Sequence, residues 1–211
     1  MQGNGLMSGF YKISGWISRF AYLNMLWIIS SLLGLIIFGL FPATVSTFAV
    51  LREWIKEKDQ VSVFHSFFTH YKKEFIKSNL LGIILSIIGF ILYVDLKFIF
   101  HNHNGGWLII SSITVLVCIM FILMVLYVFP VYVTYQLSVF KIIQNSFLYM
   151  FVNPRVTIMM VAASITFYCA GLYFPGTTLI FGVSLYSFCI MWYSNRAFIG
   201  VQQKKDSLLG R

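Results

Sequence analysis

The sequence has few charged residues: they fill only 10% of its 211 positions, whereas hydrophobic residues fill 59%. Soluble domains carry about 25% charged residues. The shortage of charge therefore excludes an ordinary soluble enzyme and a disordered chain. Cysteine is also scarce, with Cys118, Cys169 and Cys189 forming no CxxC pair. This excludes a disulfide-stapled secreted domain and a thiolate metal site.

Long apolar stretches take the place of the missing charge. A helix that crosses about 30 Å of hydrocarbon needs about 20 such residues, and it satisfies its own backbone hydrogen bonds. We therefore predict an all-α membrane protein, a bundle of five transmembrane helices in a single domain over residues 1–200, followed by a short cytoplasmic tail at 201–211. The predicted spans are about 20–41, 78–98, 107–129, 156–174 and 176–195.

Amphipathic segments flank these spans. Before the first span, Phe10, Trp16 and Phe20 belong to an apolar stripe at helical spacing, which predicts an N-terminal helix lying at the membrane interface. After it, residues 43–58 become steadily more polar, and residues 64–77 carry aromatic side chains opposite a basic face. We predict cytoplasmic amphipathic helices here and again after the third span, with the 64–77 helix bending into the second span near residues 78–79.

Basic residues outnumber acidic ones, 15 to 6. If five spans simply alternate, twelve basic residues fall on one side, and Lys12, Arg19 and Lys97 fall on the other. Basic loops stay in the cytoplasm. The pattern therefore predicts an external N-terminus and a cytoplasmic C-terminus. It also accounts for the net charge through anionic lipids at the cytoplasmic face and does not call for nucleic acid.

Two Phe-Pro pairs, Phe41-Pro42 and Phe129-Pro130, each follow a predicted span and precede an amphipathic segment. Since the first and third spans would run in the same direction, this order predicts a parallel internal repeat with its axis along the membrane normal. The alternative is that the Phe-Pro pair ends two membrane helices by coincidence.

Catalytic motifs are missing from the spans, where serines have no neighbouring base and no span carries two carboxylates. We therefore expect no enzymatic activity, no cofactor and no metal; His101 and His103 supply at most part of a metal site. Asn24, Asn79 and Asp95 are the candidate polar contacts within the membrane or at the mouth of the bundle. Helix–helix hydrogen bonds or interfacial anchoring are one interpretation of these residues, and contact with a ligand is the other.

A basic segment between the first two spans is the candidate surface for a partner protein. Its residues are Arg52, Lys56, His70, Lys72 and Lys73. Charged segments of this kind are typical of a solvated helix face, and a docking site is the alternative.

Several segments resemble a known family, the YesL-like bacterial integral membrane proteins, over roughly residues 9–200. The segments are Gly9-Phe10-Tyr11-Lys12, Tyr22-Leu23-Asn24, Phe38-Gly39-Leu40-Phe41-Pro42 and Asn153-Pro154. The resemblance implies a multi-pass protein of the bacterial plasma membrane, of a kind commonly encoded beside sugar-uptake ABC transporters. It implies no catalytic residues. The expected function is a non-enzymatic accessory or regulatory partner of a carbohydrate ABC uptake system, through its permease; the alternative is a small transporter or channel that moves a solute itself.

Overall fold

A computed structural model describes residues 3–57, 62–101 and 108–208 of the chain, and these residues form seven α-helices. The helices are α1 (Gly3–Leu33), α2 (Leu40–Glu57), α3 (Val63–His101), α4 (Leu108–Thr134), α5 (Val139–Val152), α6 (Pro154–Tyr173) and α7 (Pro175–Leu208). The all-α class predicted from the sequence is confirmed. His103 and residues 209–211 of the predicted tail lie outside the described residues.

Five helices are long and apolar enough to cross a membrane, as predicted. Their apolar parts are Ser14–Leu33, Val63–Ile99, Ser111–Thr134, Pro154–Tyr173 and Pro175–Gln203. Large apolar side chains such as Leu33, Phe90 and Tyr173 are exposed on these helices. Exposed apolar surface of this extent is unfavourable in water but matches the hydrocarbon of a bilayer. The protein is therefore membrane-embedded.

The helix α1 and the helix α2 form an antiparallel hairpin. Near its turn, Trp27 Nε1 donates a hydrogen bond of 3.0 Å to Thr44 Oγ1. Near its open end, the rings of Trp16 and Trp54 meet edge to face with centroids 5.6 Å apart. Residues far apart in sequence thus pair in reverse order, which fixes the opposite directions of the two helices.

The next helices continue this alternation. At its start α3 contacts the end of α2, because Ser66 donates a hydrogen bond to Glu53. The helix α4 then returns along α3, since Phe121 approaches Gly89 and Tyr132 lies against Lys77. The short helix α5 packs on α4 through a buried face, and it is the amphipathic helix predicted after the third span.

The last two helices, α6 and α7, form another antiparallel hairpin, and α7 packs against α1. The helix α7 returns along α6, with the hydroxyls of Ser164 and Tyr186 3.0 Å apart. It also runs antiparallel to α1. Phe188 packs on Phe20 at a centroid distance of 5.3 Å, and Ser184 bonds to Asn24 nearer the turn. The helix α1 therefore begins, and α7 ends, at the same end of the bundle.

We call this end the basic end, because Arg52, Lys56, Lys72 and Lys73 lie toward it; Lys97 lies toward the opposite, far end. The structure differs from the predicted order of crossings, because the start of α1 and the end of α7 both approach the basic end of the bundle. The cause is α2, which runs back along α1 inside the bundle. Val45, Val50 and Leu51 on α2 are at most 1% exposed.

Three other local predictions are corrected. The first span does not extend to residue 41, because α1 ends at Leu33 and a turn follows. The predicted interfacial helix is the beginning of α1, whose Trp16 and Phe20 pack against α2 and α7. The predicted bend near residues 78–79 is absent, because α3 is one helix from Val63 to His101.

The internal repeat is also wrong. Pro42 lies in the first turn of α2, where proline is well tolerated, whereas Pro130 lies inside α4. The helix before each Phe-Pro pair also has a different direction. The hairpin geometry makes α1 run away from the basic end and α4 run toward it, so the two segments are not related by a parallel repeat.

Candidate functional site

Charged side chains from α2 and α3 converge on a cleft at the basic end, which we call the α2–α3 cleft. It has a volume of about 130 Å³. Its acidic, basic and histidine lining residues are Arg52, Glu53, His70, Lys73, Glu74 and Lys77. Three of the five predicted docking residues, Arg52, His70 and Lys73, therefore meet at one site. The antiparallel pairing of α2 and α3 brings them together.

Glu53 is the centre of a hydrogen-bond network that joins α2 to α3. Ser66 and His70 stand one helical turn apart on α3 and face the same carboxylate. Ser66 Oγ donates to Glu53 Oε2 at 2.5 Å, and His70 Nε2 lies 2.9 Å from Glu53 Oε1. Burial alone raises the pKa of Glu53, but the bonds to His70 and Ser66 and the nearby charges of His70 and Arg52 outweigh it. The pKa therefore lies below its ordinary value.

Glu74, the second carboxylate of the cleft, binds to α4. It accepts a hydrogen bond of 2.8 Å from the Tyr132 hydroxyl. The ammonium group of Lys77 lies 4.9 Å from the centre of the same tyrosine ring, a distance typical of a cation–π contact. The two carboxylates thus have partners within the protein, and they fix the relative positions of α2, α3 and α4.

The other two docking candidates do not join this cleft. Lys72 is exposed on α3 and does not line it. Lys56 lines a separate cleft between α2, α4 and α7, to which Arg52 also contributes. Arg52 therefore lies between two clefts.

The polar candidates in the spans occupy three different places. Asn24 is 1% exposed and bridges α1 to α7. Its amide donates to the Leu179 carbonyl oxygen at 2.8 Å, and its Oδ1 accepts from the Ser184 N–H at 3.2 Å. Of the two interpretations offered for this residue, the geometry supports a helix–helix contact.

Asn79 and Asp95 both lie on α3. Asn79 donates to the Phe38 carbonyl oxygen at 3.0 Å and to the Phe75 carbonyl oxygen at 2.9 Å. It therefore holds the turn between α1 and α2 against α3. Asp95 is exposed toward the far end, about 24 Å further along the helix at 1.5 Å per residue. The structure brings Asp95 together with neither Asn24 nor Asn79.

Sequence reasoning missed Glu53, Glu74 and Tyr132. A signal was available for the glutamates, because the chain has only 6 acidic residues and these two lie inside amphipathic segments. Their pairing with residues of other helices carries no sequence signal. Among the described residues, no group of three or more His, Cys, Asp and Glu could hold a metal ion. The carboxylates of Glu53 and Glu74 are held in place by contacts with neighbouring helices.

The fold and this cleft define a polytopic helical membrane protein with a charged surface at one end of the bundle. The family model described as "Protein of unknown function, DUF624" matches residues 20–96. Two proteins of Bacillus subtilis (strain 168) are similar over 96% of the chain: the uncharacterized protein YteU, 36% identical over 91% of its length, and the uncharacterized protein YesL, 33% identical over 96% of its length. The chain belongs to this family, as its resemblance to the YesL-like proteins predicted.

A third relative from the same organism, the uncharacterized protein YesV, is 33% identical over 86% of this chain and 88% of its own length. No solved structure matches the chain. The first two relatives match 203 of the 211 residues, so the matched region extends well beyond the segment covered by the family model.

Proposed function

We propose that the protein is a non-enzymatic accessory or regulatory component of a membrane system, and that its basic end docks the partner. The α2–α3 cleft is the observation that carries this proposal. Its carboxylates are engaged within the protein, while Lys73 and its neighbour Lys72 are exposed. A rigid surface with fixed positive charge suits an acidic region of a partner, because opposite potentials across an interface favour specific encounter.

The packing of the bundle centre supports an accessory role over transport by the chain itself. A small transporter or channel needs a polar route through the bundle. Beyond the cleft, toward the far end, Leu81, Leu85, Met124 and Val128 belong to one cluster of buried apolar side chains. A packed apolar layer at this position separates the cleft from the far end.

The distribution of charge supports a cytoplasmic position for the basic end. Arg52, Lys73, Arg155 and Arg196 lie toward this end, and basic segments are retained in the cytoplasm. We propose that the protein lies in the bacterial plasma membrane, with the start of α1 and the end of α7 both on the cytoplasmic side. The resemblance to the YesL-like proteins makes the permease of a carbohydrate ABC uptake system the first partner to test.

Site-specific cross-linking in native membranes tests this proposal. A photoreactive residue at Lys72 is expected to capture a permease subunit, and the same residue at Lys97, at the far end, serves as the matched control. Deletion of the protein is expected to lower sugar uptake. Recovery of the uncross-linked protein from both positions, together with unchanged uptake in the deletion strain, contradicts the accessory role.

A further inference from the structure

A second cleft at the basic end has a different chemistry from the α2–α3 cleft. It lies between α2, α4 and α7, has a volume of about 370 Å³, and we call it the α4–α7 cleft. Its polar lining residues are Arg52, Lys56, Thr134, Asn195, Gln202 and Gln203. No carboxylate belongs to its described lining, whereas the α2–α3 cleft has two. The lining therefore presents cations and amides, and the carboxylate near Arg52, Glu53, belongs to the neighbouring α2–α3 cleft.

Two polar atoms at this cleft are buried and have no hydrogen-bond partner among the described residues. They are Arg52 Nε and Thr134 Oγ1. The other nearby contact is long, since Arg52 Nη2 lies 3.5 Å from the Thr134 carbonyl oxygen. Buried polar groups in proteins are almost always paired, so the Arg52 Nε and the Thr134 hydroxyl, both without a partner beside the same cleft, point to a ligand that accepts hydrogen bonds.

We propose that the α4–α7 cleft binds a phosphate group. A guanidinium is planar and presents several N–H donors, which match the oxygens of a phosphate better than those of a neutral ligand. Arg52 supplies these donors from one wall and Thr134 supplies a hydroxyl from another. Lys56 adds a second positive charge, and a volume of about 370 Å³ leaves room for the group that carries the phosphate.

The position of the cleft along the bundle fits this ligand. The helix α4 carries no Asp, Glu, Lys, Arg or His from Leu108 to its last residue, Thr134, so its apolar span ends at the cleft. Lipid phosphates lie at this boundary between hydrocarbon and water. Phe198 and Ile199 also line the cleft and offer apolar contact beside the basic groups. The phosphate can therefore come from an anionic phospholipid or from a phosphorylated solute.

Calorimetric titration of the purified full chain in an uncharged detergent tests the proposal and separates the two sources. The probes are short-chain phosphatidylglycerol, short-chain phosphatidylcholine as the lipid of zero net charge, and inorganic phosphate. Arg52→Gln is expected to weaken binding by roughly tenfold, the effect of losing about 1.4 kcal/mol. Lys141→Gln on α5 is the matched control, because it removes a single positive charge from an exposed position outside both clefts, and it is expected to change affinity less than about twofold.

Each outcome decides the matter. Arg52-dependent binding of phosphatidylglycerol alone supports the site and identifies a lipid as the source. Arg52-dependent binding of inorganic phosphate supports the site and identifies a soluble ligand. Binding that Arg52→Gln and Lys141→Gln weaken equally, or no binding of either phosphatidylglycerol or inorganic phosphate, overturns the proposal. If Arg52→Gln does not fold, Lys56→Gln and Thr134→Val replace it, and their affinities must both fall below that of Lys141→Gln.

Discussion

A single asparagine joins the first helix of the chain to the last. Asn24 is buried, and both its amide nitrogen and its oxygen bond to the backbone of α7. Such bonds matter in a membrane bundle, because lipid provides no competing partners and no hydrophobic force between helices. Asn79 holds the turn between α1 and α2 against α3. The same residue type therefore joins two helices at position 24 and anchors a turn at position 79.

Asn24→Ala is expected to lower the free energy of unfolding by about 1–3 kcal/mol, because it removes both bonds and leaves a cavity at a buried position. Thermal or chemical unfolding in detergent measures the change. Ser18→Ala on the exposed face of the same helix is the control and is expected to have little effect. An unfolding curve for Asn24→Ala that superimposes on that of the native protein contradicts the bridging role.

The depressed pKa of Glu53 predicts a pH dependence of stability. A carboxylate whose pKa is lower in the folded state contributes stability above its ordinary pKa of 4.5, and this contribution is lost as the pH falls through the lower, folded value. The native protein is therefore expected to lose stability below about pH 4.5. Glu53→Gln is expected to be less stable near pH 7 and to show a flatter profile in acid.

Unfolding midpoints measured in steps from pH 3.5 to pH 7 test this expectation. His70→Gln is a useful companion, because it keeps a polar side chain at position 70 but removes one of the interactions that lower the pKa of Glu53. Parallel acid profiles for the native protein and Glu53→Gln would show that other groups govern the acid response.

At the scale of elements, the turn between α1 and α2 is the most unusual segment. Apolar residues of this turn, including Leu35, Ile37 and Phe38, are more than half exposed, so it must satisfy its own backbone polar groups in an apolar medium. It does so through short-range bonds: the N–H groups of residues 34–38 and 40 all donate to nearby carbonyl oxygens. Leu35 and Ile36 adopt positive φ angles of 54° and 65°, which side-chain-bearing residues seldom do.

Gly39 makes this turn possible. A Cβ atom there would lie 2.6 Å from the Ser30 carbonyl oxygen and 2.5 Å from that of Ser31. Gly39→Ala is therefore expected to lower the free energy of unfolding by about 1–3 kcal/mol through overpacking. Gly15→Ala on α1 is the matched control. Open space surrounds that position, so alanine is expected to stabilise the helix by about 0.5–1 kcal/mol.

Both changes are measured by unfolding in the same detergent. Opposite signs for the two substitutions identify the close approach of the turn as the cause, since the added methyl group is the same. If Gly39→Ala raises the free energy of unfolding, the turn accommodates the methyl group and the overpacking explanation is wrong.

The sequence predicts the apolar spans well because lipid contact is a local property of each segment, readable from consecutive side chains. The position of α2 inside the bundle was not predicted, for a physical reason. Its apolar residues, such as Val45 and Leu51, face protein, and four ionisable residues near its end reduce its overall hydropathy. The Glu53 network escaped because it depends on the reversal between α2 and α3, which brings together residues of two segments. Asn24 and Asn79 were found because an amide within an apolar run is conspicuous.

At the scale of the whole molecule, the helix α2 reverses the direction of every later helix relative to the predicted order. Three hairpins, α1–α2, α3–α4 and α6–α7, turn toward the far end, while the short helix α5 joins two of them near the basic end. With this arrangement Arg19 joins the other basic residues, and Lys97 remains at the far end. The separation of charge is thus sharper than five simple crossings would give, which strengthens the expectation that the basic end is cytoplasmic.

Cysteine labelling of intact cells tests this topology. In a background with Cys118, Cys169 and Cys189 replaced by alanine, single cysteines are placed by Lys97→Cys and Ser14→Cys. A membrane-impermeant thiol reagent is expected to label the Lys97→Cys protein on intact cells, because the proposed topology puts the far end outside. The Ser14→Cys protein is expected to react only after permeabilisation, because α1 begins at the basic end. The Lys72→Cys protein, with its cysteine at the same end, is expected to behave like the Ser14→Cys protein. Labelling of Ser14→Cys on intact cells, while Lys72→Cys stays protected, would place the two residues on opposite sides of the membrane. That result would contradict the hairpin arrangement.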